Sequence, residues 1–189
     1  MPKTCFERLA LHGPTMGTRW SVTCDAPPGL DAQALRADLA AAVEQVDAQM
    51  SPWKPGSTIN ALNQAPTGQW HALTAPVFEV LAGALEVCRL SAGAFDPNVG
   101  ALVDAWGFGP ARDAPDAQAV RAAAQVAALP THQALELGAG ARRARKHAPL
   151  QLDLCGIAKG YAVDRMAAVL QAHGVAHALV ALDGELRHQ

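Results

Sequence analysis

Apolar residues recur at helical spacing along four stretches of the chain, and each stretch predicts an α-helix. The first begins at Asp31, whose carboxylate suits a helix N-terminus, and the second has Pro76 in its first turn. We expect Ser91-Ala92-Gly93 to end the second helix. The predicted helices cover residues 31–50, 76–90, 115–128 and 156–173.

Short apolar runs separate these helices and predict strands. The most apolar run, residues 175–182, predicts a buried strand that requires a neighbour on each side, and we expect nothing after Asp183-Gly184 to supply one. Other strands are predicted at residues 19–24, 69–73, 134–137 and 150–154, with a loop at residues 51–66. Because helices and strands alternate irregularly, we expect an α+β fold with a mixed sheet and flanking helices.

Composition narrows the classes of protein. The 189 residues are 50% hydrophobic and 17% charged, with a formal net charge of -2, which is typical of a globular domain. The near-neutral charge disfavours nucleic acid, which requires a basic face. The four cysteines and seven histidines lack metal-binding spacing. No signal peptide or transmembrane segment is visible, so we expect a cytoplasmic protein.

One segment, residues 152–164, combines features that suit an anionic ligand. Asp153 ends a predicted strand, Gly156 lies in the turn, and Lys159 lies in the first turn of the following helix. Free N–H groups at a helix start and a nearby ammonium group favour phosphate, and glycine allows a ligand close to the backbone. The pattern fits an ordinary strand-to-helix connection with a solvated lysine equally well.

A second unusual run, residues 93–110, is rich in glycine and aromatic residues. Phe95 could pack on a flat ring and Asp96 could bind its polar edge, although Asp96 could also cap the next helix. We expect Trp106 and Phe108 to form a small secondary core.

Two loop residues have both a ligand-binding and a structural interpretation. Trp53 could stack on a purine or flavin, or could cover the edge of a core. Met16, before the strand at residues 19–24, could be no more than a core residue. The basic cluster at residues 142–147 is expected to be a solvated turn.

Five blocks follow one another along nearly the whole chain. They are Thr15-Met16-Gly17-Thr18, Met50-Ser51-Pro52-Trp53, Gly93-Ala94-Phe95-Asp96-Pro97, Trp106-Gly107-Phe108-Gly109 and DLCGIAKGYAVD at residues 153–164. Together they resemble the ApbE family of FAD:protein FMN transferases. The resemblance implies an ApbE-like (T-fold-like) fold.

The resemblance also implies a magnesium-dependent reaction. FAD is split at its pyrophosphate, FMN becomes attached to a Thr or Ser hydroxyl of a target protein, and AMP leaves. FAD is thus the substrate and Mg²⁺ the cofactor, and the acceptor is a protein of a membrane redox complex. A cation is needed because the pyrophosphate charge repels an attacking hydroxyl.

Site residues follow from the resemblance position by position. Gly156 falls where a backbone carbonyl ligates magnesium, and no catalytic residue is assigned. The implied FAD contacts are Met16, Trp53, Ala94, Phe95, Asp96, Asp153 and Lys159.

The sequence departs from the family pattern near its end, where Asp183-Gly184-Glu185 replaces a Gly-Gly-Asp-type turn. Family members continue with a His-x-x-Asp-Pro stretch and an Asp with Thr or Ser that supply magnesium ligands. We therefore expect residues 1–189 to be the N-terminal portion of an ApbE-like domain without this segment. One carbonyl cannot hold Mg²⁺, so we expect this chain alone to be weakly active or inactive.

A second function of another class is also compatible with the sequence. It is a non-catalytic protein that binds FAD or carries flavin during maturation of a respiratory redox system. Many relatives are exported, so the alternative location is the periplasm or, as a lipoprotein, the inner membrane, if a leader precedes the chain.

Overall fold

The structure, a computed structural model, describes residues 7–111, 113–127 and 129–189. The strands in these ranges are β1 (Glu7–Thr15), β2 (Thr18–Ala26), β3 (Trp70–Ala72), β4 (Leu135–Gly138), β5 (Arg143–Lys146), β6 (Ala178–Leu182) and β7 (Glu185–His188). The helices are α1 (Ala32–Met50), α2 (Thr58–Gln64), α3 (Ala75–Leu90), α4 (Gly100–Ala105), α5 (Ala117–Val126), α6 (Thr131–Ala134) and α7 (Cys155–Ala172). None of these helices has the length and hydropathy required to cross a membrane.

The chain divides into two compact units, each with its own sheet. The first comprises the described residues up to Asp47 together with Ala158–Gln189, and the second comprises Ala48–Ile157. The first sheet has the order β1–β2–β6–β7 and the second β3–β5–β4, and every pairing is antiparallel. The predicted α+β class is confirmed, but the expected mixed sheet is wrong. The short connections β1–β2 and β6–β7 require antiparallel neighbours, and the distant pairs β2–β6 and β3–β5 are antiparallel as well.

Alternation of side chains gives the first sheet one buried face. Inward-facing residues of β2 and β6 pair directly: Trp20 with Leu182, Val22 with Val180, and Cys24 with Ala178, all of them buried. The first unit's stretches of α1 and α7 complete this core with Leu35, Leu39, Val43, Ala162, Met166 and Leu170. The apolar periodicity that predicted these two helices is therefore the periodicity of their buried faces.

Strand β6 has neighbours on both sides, β2 and β7. The expectation that nothing after Asp183-Gly184 supplies a neighbour is wrong. Asp183 adopts a left-handed backbone conformation with φ 57°, which reverses the chain and lets Glu185 pair with Leu182. Strand β7 could not be predicted from the sequence, because its residues are all exposed and show no apolar alternation.

The second sheet contains the basic stretch that was expected to be a turn. Strand β5 buries Ala144 and Lys146, whereas Arg143 and Arg145 lie on the other face and flank the Trp70 ring, with guanidinium carbons 4.3 and 4.6 Å from its centroid. The expectation of a solvated turn is therefore wrong. Cation–π stacking allows these arginines to occupy a strand.

The predicted loop at residues 51–66 is wrong in its second half, which forms helix α2. Ser57 begins the helix and its hydroxyl accepts a hydrogen bond from the N–H of Asn60 at 3.3 Å. Ile59 and Leu62 are the buried side chains. Two apolar residues among polar neighbours gave too weak a periodicity to predict so short a helix.

The other predicted elements divide into confirmed and corrected ones. The four predicted helices correspond to α1, α3, α5 and α7, although residue 128, at the end of the third, lies outside the described residues. The predicted strands at residues 19–24, 69–73, 134–137 and 175–182 contain all or part of β2, β3, β4 and β6, in that order. The strand predicted at residues 150–154 is wrong: no ladder forms there.

Side-chain amides take the place of a neighbouring strand at this segment. The Asn63 amide both donates to the Leu152 carbonyl at 2.9 Å and accepts from the Leu152 N–H at 2.8 Å. The buried Asn98 accepts from the Gln151 N–H at 3.0 Å, and the Gln151 carbonyl accepts from the Gly100 N–H at 2.9 Å. Buried backbone groups are thereby satisfied without a sheet.

The close approach of Gly100 to Gln151 predicts a loss of stability when Gly100 is replaced. A Cβ at this position would lie 2.6 Å from the Gln151 carbonyl oxygen. We expect Gly100→Ala to lower the free energy of unfolding by about 1–3 kcal/mol, measured by urea denaturation. Gly83→Ala is the matched control, because its Cβ would meet only Ile157, at 3.9 Å. In the middle of α3 it should stabilise by about 0.5–1 kcal/mol. Equal effects of the two substitutions would contradict the close approach.

Candidate functional site

The second unit has a surface cavity of 390 Å³ at the start of α7. It is lined by Pro52, Trp53, Ala94, Phe95, Asp96, Val99, Val103, Phe108, Gly109, Asp153, Cys155 and Gly156. Six of the eight residues predicted from the sequence are in this set: Trp53, Ala94, Phe95, Asp96, Asp153 and Gly156. Segments far apart in the sequence are thus brought to one place by the fold.

Asp153 is fixed between two backbone segments. Its N–H donates to the Pro97 carbonyl at 2.8 Å, and its Oδ1 accepts from the Cys155 N–H at 2.7 Å. The carboxylate therefore caps the first turn of α7. Asp153 is only 8% exposed, so these hydrogen bonds, and not contacts with solvent, determine the position of its carboxylate.

The loop that carries Trp53 is held by a helix behind it. The side-chain amide of Asn60 in α2 donates to the carbonyls of Pro52 and Lys54, at 2.9 and 3.0 Å. The Trp53 N–H donates to the Ser51 hydroxyl at 3.2 Å. With its backbone held in this way, the Trp53 side chain is 60% exposed and forms one wall of the cavity.

Phe95 packs against the start of α7. Its N–H donates to the Ser91 hydroxyl at 3.0 Å, just after the end of α3. A Cβ on Gly156 would lie 3.3 Å from the Phe95 ring, so glycine lets the helix backbone and the ring stay in contact. The cavity therefore places an aromatic ring beside the first turn of an 18-residue helix, where the Cys155 N–H is bonded to Asp153.

Asp96 has a structural role in addition to its place on the cavity wall. Its carboxylate accepts from the N–H of Asn98 at 2.8 Å and from the N–H of Thr131 at 3.0 Å. The Thr131 hydroxyl also donates to it, and the Cys88 thiol lies 3.5 Å away. The two interpretations of Asp96, turn residue and ligand contact, are thus compatible.

Phe108 is a cavity residue that the sequence interpretation missed. The expected secondary core is wrong, because Phe108 is 77% and Trp106 52% exposed. The loop leaves no room for a side chain at Gly109, where a Cβ would lie 1.8 Å from Asp104 Oδ1, and Asp104 also accepts from the N–H of Ala111 at 3.3 Å. The Trp-Gly-Phe-Gly block was the available signal. Aromatic content alone predicts a core.

Met16 and Lys159 belong to the first unit, whereas every residue that lines the cavity belongs to the second. Met16 occupies the β1–β2 turn with φ 45°. The Lys159 ammonium group lies 2.5 Å from Asp183 Oδ2, and the Asp183 N–H donates to the Arg19 carbonyl at 3.5 Å. Since Arg19 follows the Met16 turn by two residues, Met16 and Lys159 lie at the same end of the first sheet.

The described residues provide little for a magnesium ion. No group of three or more His, Cys, Asp or Glu side chains in residues 7–111, 113–127 and 129–189 could hold a metal. Gly156 can offer a carbonyl oxygen, but the carboxylates of Asp96 and Asp153 already accept hydrogen bonds. These residues do not provide the octahedral set of oxygen ligands that Mg²⁺ prefers.

The three cysteines in the described residues differ in exposure, which predicts a selective thiol reaction. Cys155 is exposed at the cavity, whereas Cys24 and Cys88 are buried. Burial raises the pKa of both buried thiols, with Asp25 raising that of Cys24 further and Asp96 that of Cys88. Less thiolate is then present at pH 8, so both should react slowly with a disulfide reagent.

Because Cys5 lies outside the described residues, the measurement uses a Cys5→Ser variant. We expect one rapidly reacting thiol in the folded protein and three in urea, counted by absorbance with Ellman's reagent. Adding Cys155→Ser should abolish the rapid phase. A rapid phase that survives this second substitution would contradict the assignment.

Comparisons with known proteins identify the family of the chain. The chain matches the ApbE family over residues 16–189. A FAD:protein FMN transferase of Vibrio cholerae is 32% identical over 185 residues, which cover 96% of this chain and 54% of that protein. One of Klebsiella pneumoniae is 33% identical over 180 residues, which cover 93% of this chain and 51% of that protein.

A solved structure supports the same relationship. The crystal structure of apo Pseudomonas stutzeri flavinyl transferase ApbE matches with a TM-score of 0.88 and 32% identity, covering 100% of this chain and 63% of that chain. The chain spans about half the length of the curated relatives it matches. The sequence match from Met16 onwards and the shared fold lead to one conclusion: the chain belongs to the ApbE family.

Proposed function

We propose that this chain binds FAD as part of an FAD:protein FMN transferase. The observation that carries the proposal is the cavity of the second unit, where aromatic side chains and the start of an 18-residue helix meet. FAD has two flat ring systems joined by a pyrophosphate. Aromatic side chains suit the rings, and a helix N-terminus suits the phosphates. The similar proteins of Vibrio cholerae and Klebsiella pneumoniae carry the name of this activity.

Six of the residues that line the cavity have an assigned role in FAD binding. Trp53, Phe95 and Phe108 pack on a flat ring, and Asp153 accepts hydrogen bonds from the ligand with its remaining acceptor capacity. Ala94 and Asp96 shape the wall between them. On the strength of the family resemblance, Met16 and Lys159 also contact FAD, with the Lys159 ammonium group on phosphate.

The proposed reaction transfers FMN to a Thr or Ser hydroxyl of an acceptor protein. The hydroxyl oxygen forms a bond to the phosphorus of the FMN half, the pyrophosphate P–O bond breaks, and AMP leaves with the bridging oxygen. The hydroxyl proton is released. This chain's residues hold the two ends of FAD so that the phosphorus is presented in one orientation. The acceptor is proposed to be a protein of a membrane redox complex.

Magnesium dependence is also part of the proposal. The chemistry that Mg²⁺ would supply is neutralisation of the pyrophosphate charge. In this chain the Gly156 carbonyl is the proposed ligand, and the cavity carboxylates do not complete a site with it. We therefore expect residues 1–189 alone to bind FAD and to release AMP weakly or not at all.

Protection of Cys155 tests whether FAD occupies the cavity. In the Cys5→Ser variant, FAD should slow the reaction of Cys155 with Ellman's reagent by about tenfold at a concentration ten times the dissociation constant, because only the unbound fraction reacts. NAD⁺ is the matched control, since it shares the ADP half of FAD but lacks the flavin. An FAD effect no larger than that of NAD⁺ would contradict flavin recognition at this cavity.

AMP release separates the transferase from the non-catalytic alternative. Both functions give protection of Cys155. Only the transferase, given its complete set of magnesium ligands and an acceptor, forms AMP together with covalent FMN on a Thr or Ser. Protection without any AMP from a protein of the relatives' full length would favour an FAD-binding or flavin-carrying accessory protein.

The exposed aromatic residues offer a sharper test of the cavity wall. We expect Phe108→Ala to weaken FAD binding about two- to tenfold, because a stacked aromatic pair contributes about 0.5–1.5 kcal/mol. Trp106→Ala is the matched control: Trp106 is also exposed and lies in the same loop, but does not line the cavity. Calorimetric titration of FAD gives both affinities. A larger loss from Trp106→Ala would contradict the proposed wall.

A further inference from the structure

The first unit contains an ion pair that engages the lysine proposed to bind phosphate. Lys159 Nζ lies 2.5 Å from Asp183 Oδ2, with side chains that are 30% and 51% exposed. The ammonium group of Lys159 is therefore committed to a protein carboxylate. Any anionic ligand that uses this ammonium group meets the negative charge of Asp183 beside it.

The position of Asp183 is fixed by the backbone as well as by the ion pair. Asp183 occupies the β6–β7 turn with φ 57°, a conformation that is uncommon for residues other than glycine. Its N–H donates to the Arg19 carbonyl at 3.5 Å. The turn thus holds the carboxylate against Lys159, and the contact does not depend on a flexible acidic side chain reaching across the surface.

We propose that Asp183 is a positioning residue that competes with the phosphate of FAD for Lys159. This inference rests on the proposed function, since it takes Lys159 as the phosphate ligand. An ammonium group in a 2.5 Å contact must give up or share that contact when phosphate arrives. Asp183 therefore keeps Lys159 paired in the absence of FAD, and lowers the affinity for FAD.

A second ion pair in the same unit provides a matched control. Arg187 Nη1 contacts Asp164 Oδ1, and this pair also links the β6–β7 hairpin to α7. Its side chains are similarly exposed, 46% and 57%. Loss of either pair removes one hairpin-to-helix contact, but only the loss of the Asp183 carboxylate frees Lys159.

The test compares FAD affinities by calorimetric titration of the 189-residue chain. We expect Asp183→Asn to tighten FAD binding about threefold to tenfold, because it both frees the ammonium group and removes a neighbouring negative charge. Asp164→Asn should leave the affinity unchanged. In the Lys159→Met background, which binds FAD more weakly, Asp183→Asn should give less than half of its gain, since no ammonium group remains to be freed. Thermal unfolding of each variant establishes that it is folded.

The outcomes distinguish this inference from the proposed function. If the unsubstituted chain binds FAD but Asp183→Asn leaves binding equal or weaker, competition is overturned and the proposed function stands. An equal gain in the Lys159→Met background would also overturn it, because the effect would not pass through the lysine. If no variant binds FAD, both the proposed function and the inference fail.

Discussion

Two asparagine side chains satisfy backbone groups of residues 151 and 152 that a neighbouring strand would satisfy in a sheet. Asn63 pairs with both backbone groups of Leu152, and Asn98 accepts from Gln151. Asn63 is itself anchored, because its carbonyl accepts from the buried ammonium group of Lys146 at 2.6 Å, and burial lowers the pKa of that lysine. The start of α7 and the cavity wall follow this segment directly. Their geometry therefore depends on hydrogen bonds from side-chain amides of residues more than fifty positions away.

Elements with a long apolar face could be predicted from the sequence. Helices α1, α3 and α7 bury a continuous row of side chains, and β6 is almost entirely apolar, so their patterns reflect their burial directly. The short elements could not be predicted in this way. Helix α2 buries two side chains, β5 places arginines on an aromatic ring, and β7 buries none. In these three, pairing and stacking between distant residues decide the structure.

The sequence could predict which residues line the candidate site, but not the contacts that hold them in place. Ordered sequence blocks indicated Trp53, Phe95 and Asp153, and the fold brings these residues to one cavity. The bond between Asp96 and Thr131 could not be predicted, because it spans 35 positions. Phe108 is 77% exposed although it is strongly apolar, and hydropathy alone predicts the opposite.

The left-handed residues of this chain bear on how it could be made more heat-resistant. Met16, Ala92, Arg142 and Asp183 all have positive φ, a conformation that costs about 1–2 kcal/mol for a residue with a Cβ. Glycine would relieve this cost at each position. At Met16 and Asp183 it would also delete a side chain that we assign to the ligand or its lysine. A glycine that stabilises the protein at Met16 or Asp183 would therefore also change its affinity for flavin. A glycine at Ala92 or Arg142 would stabilise the protein without this second effect.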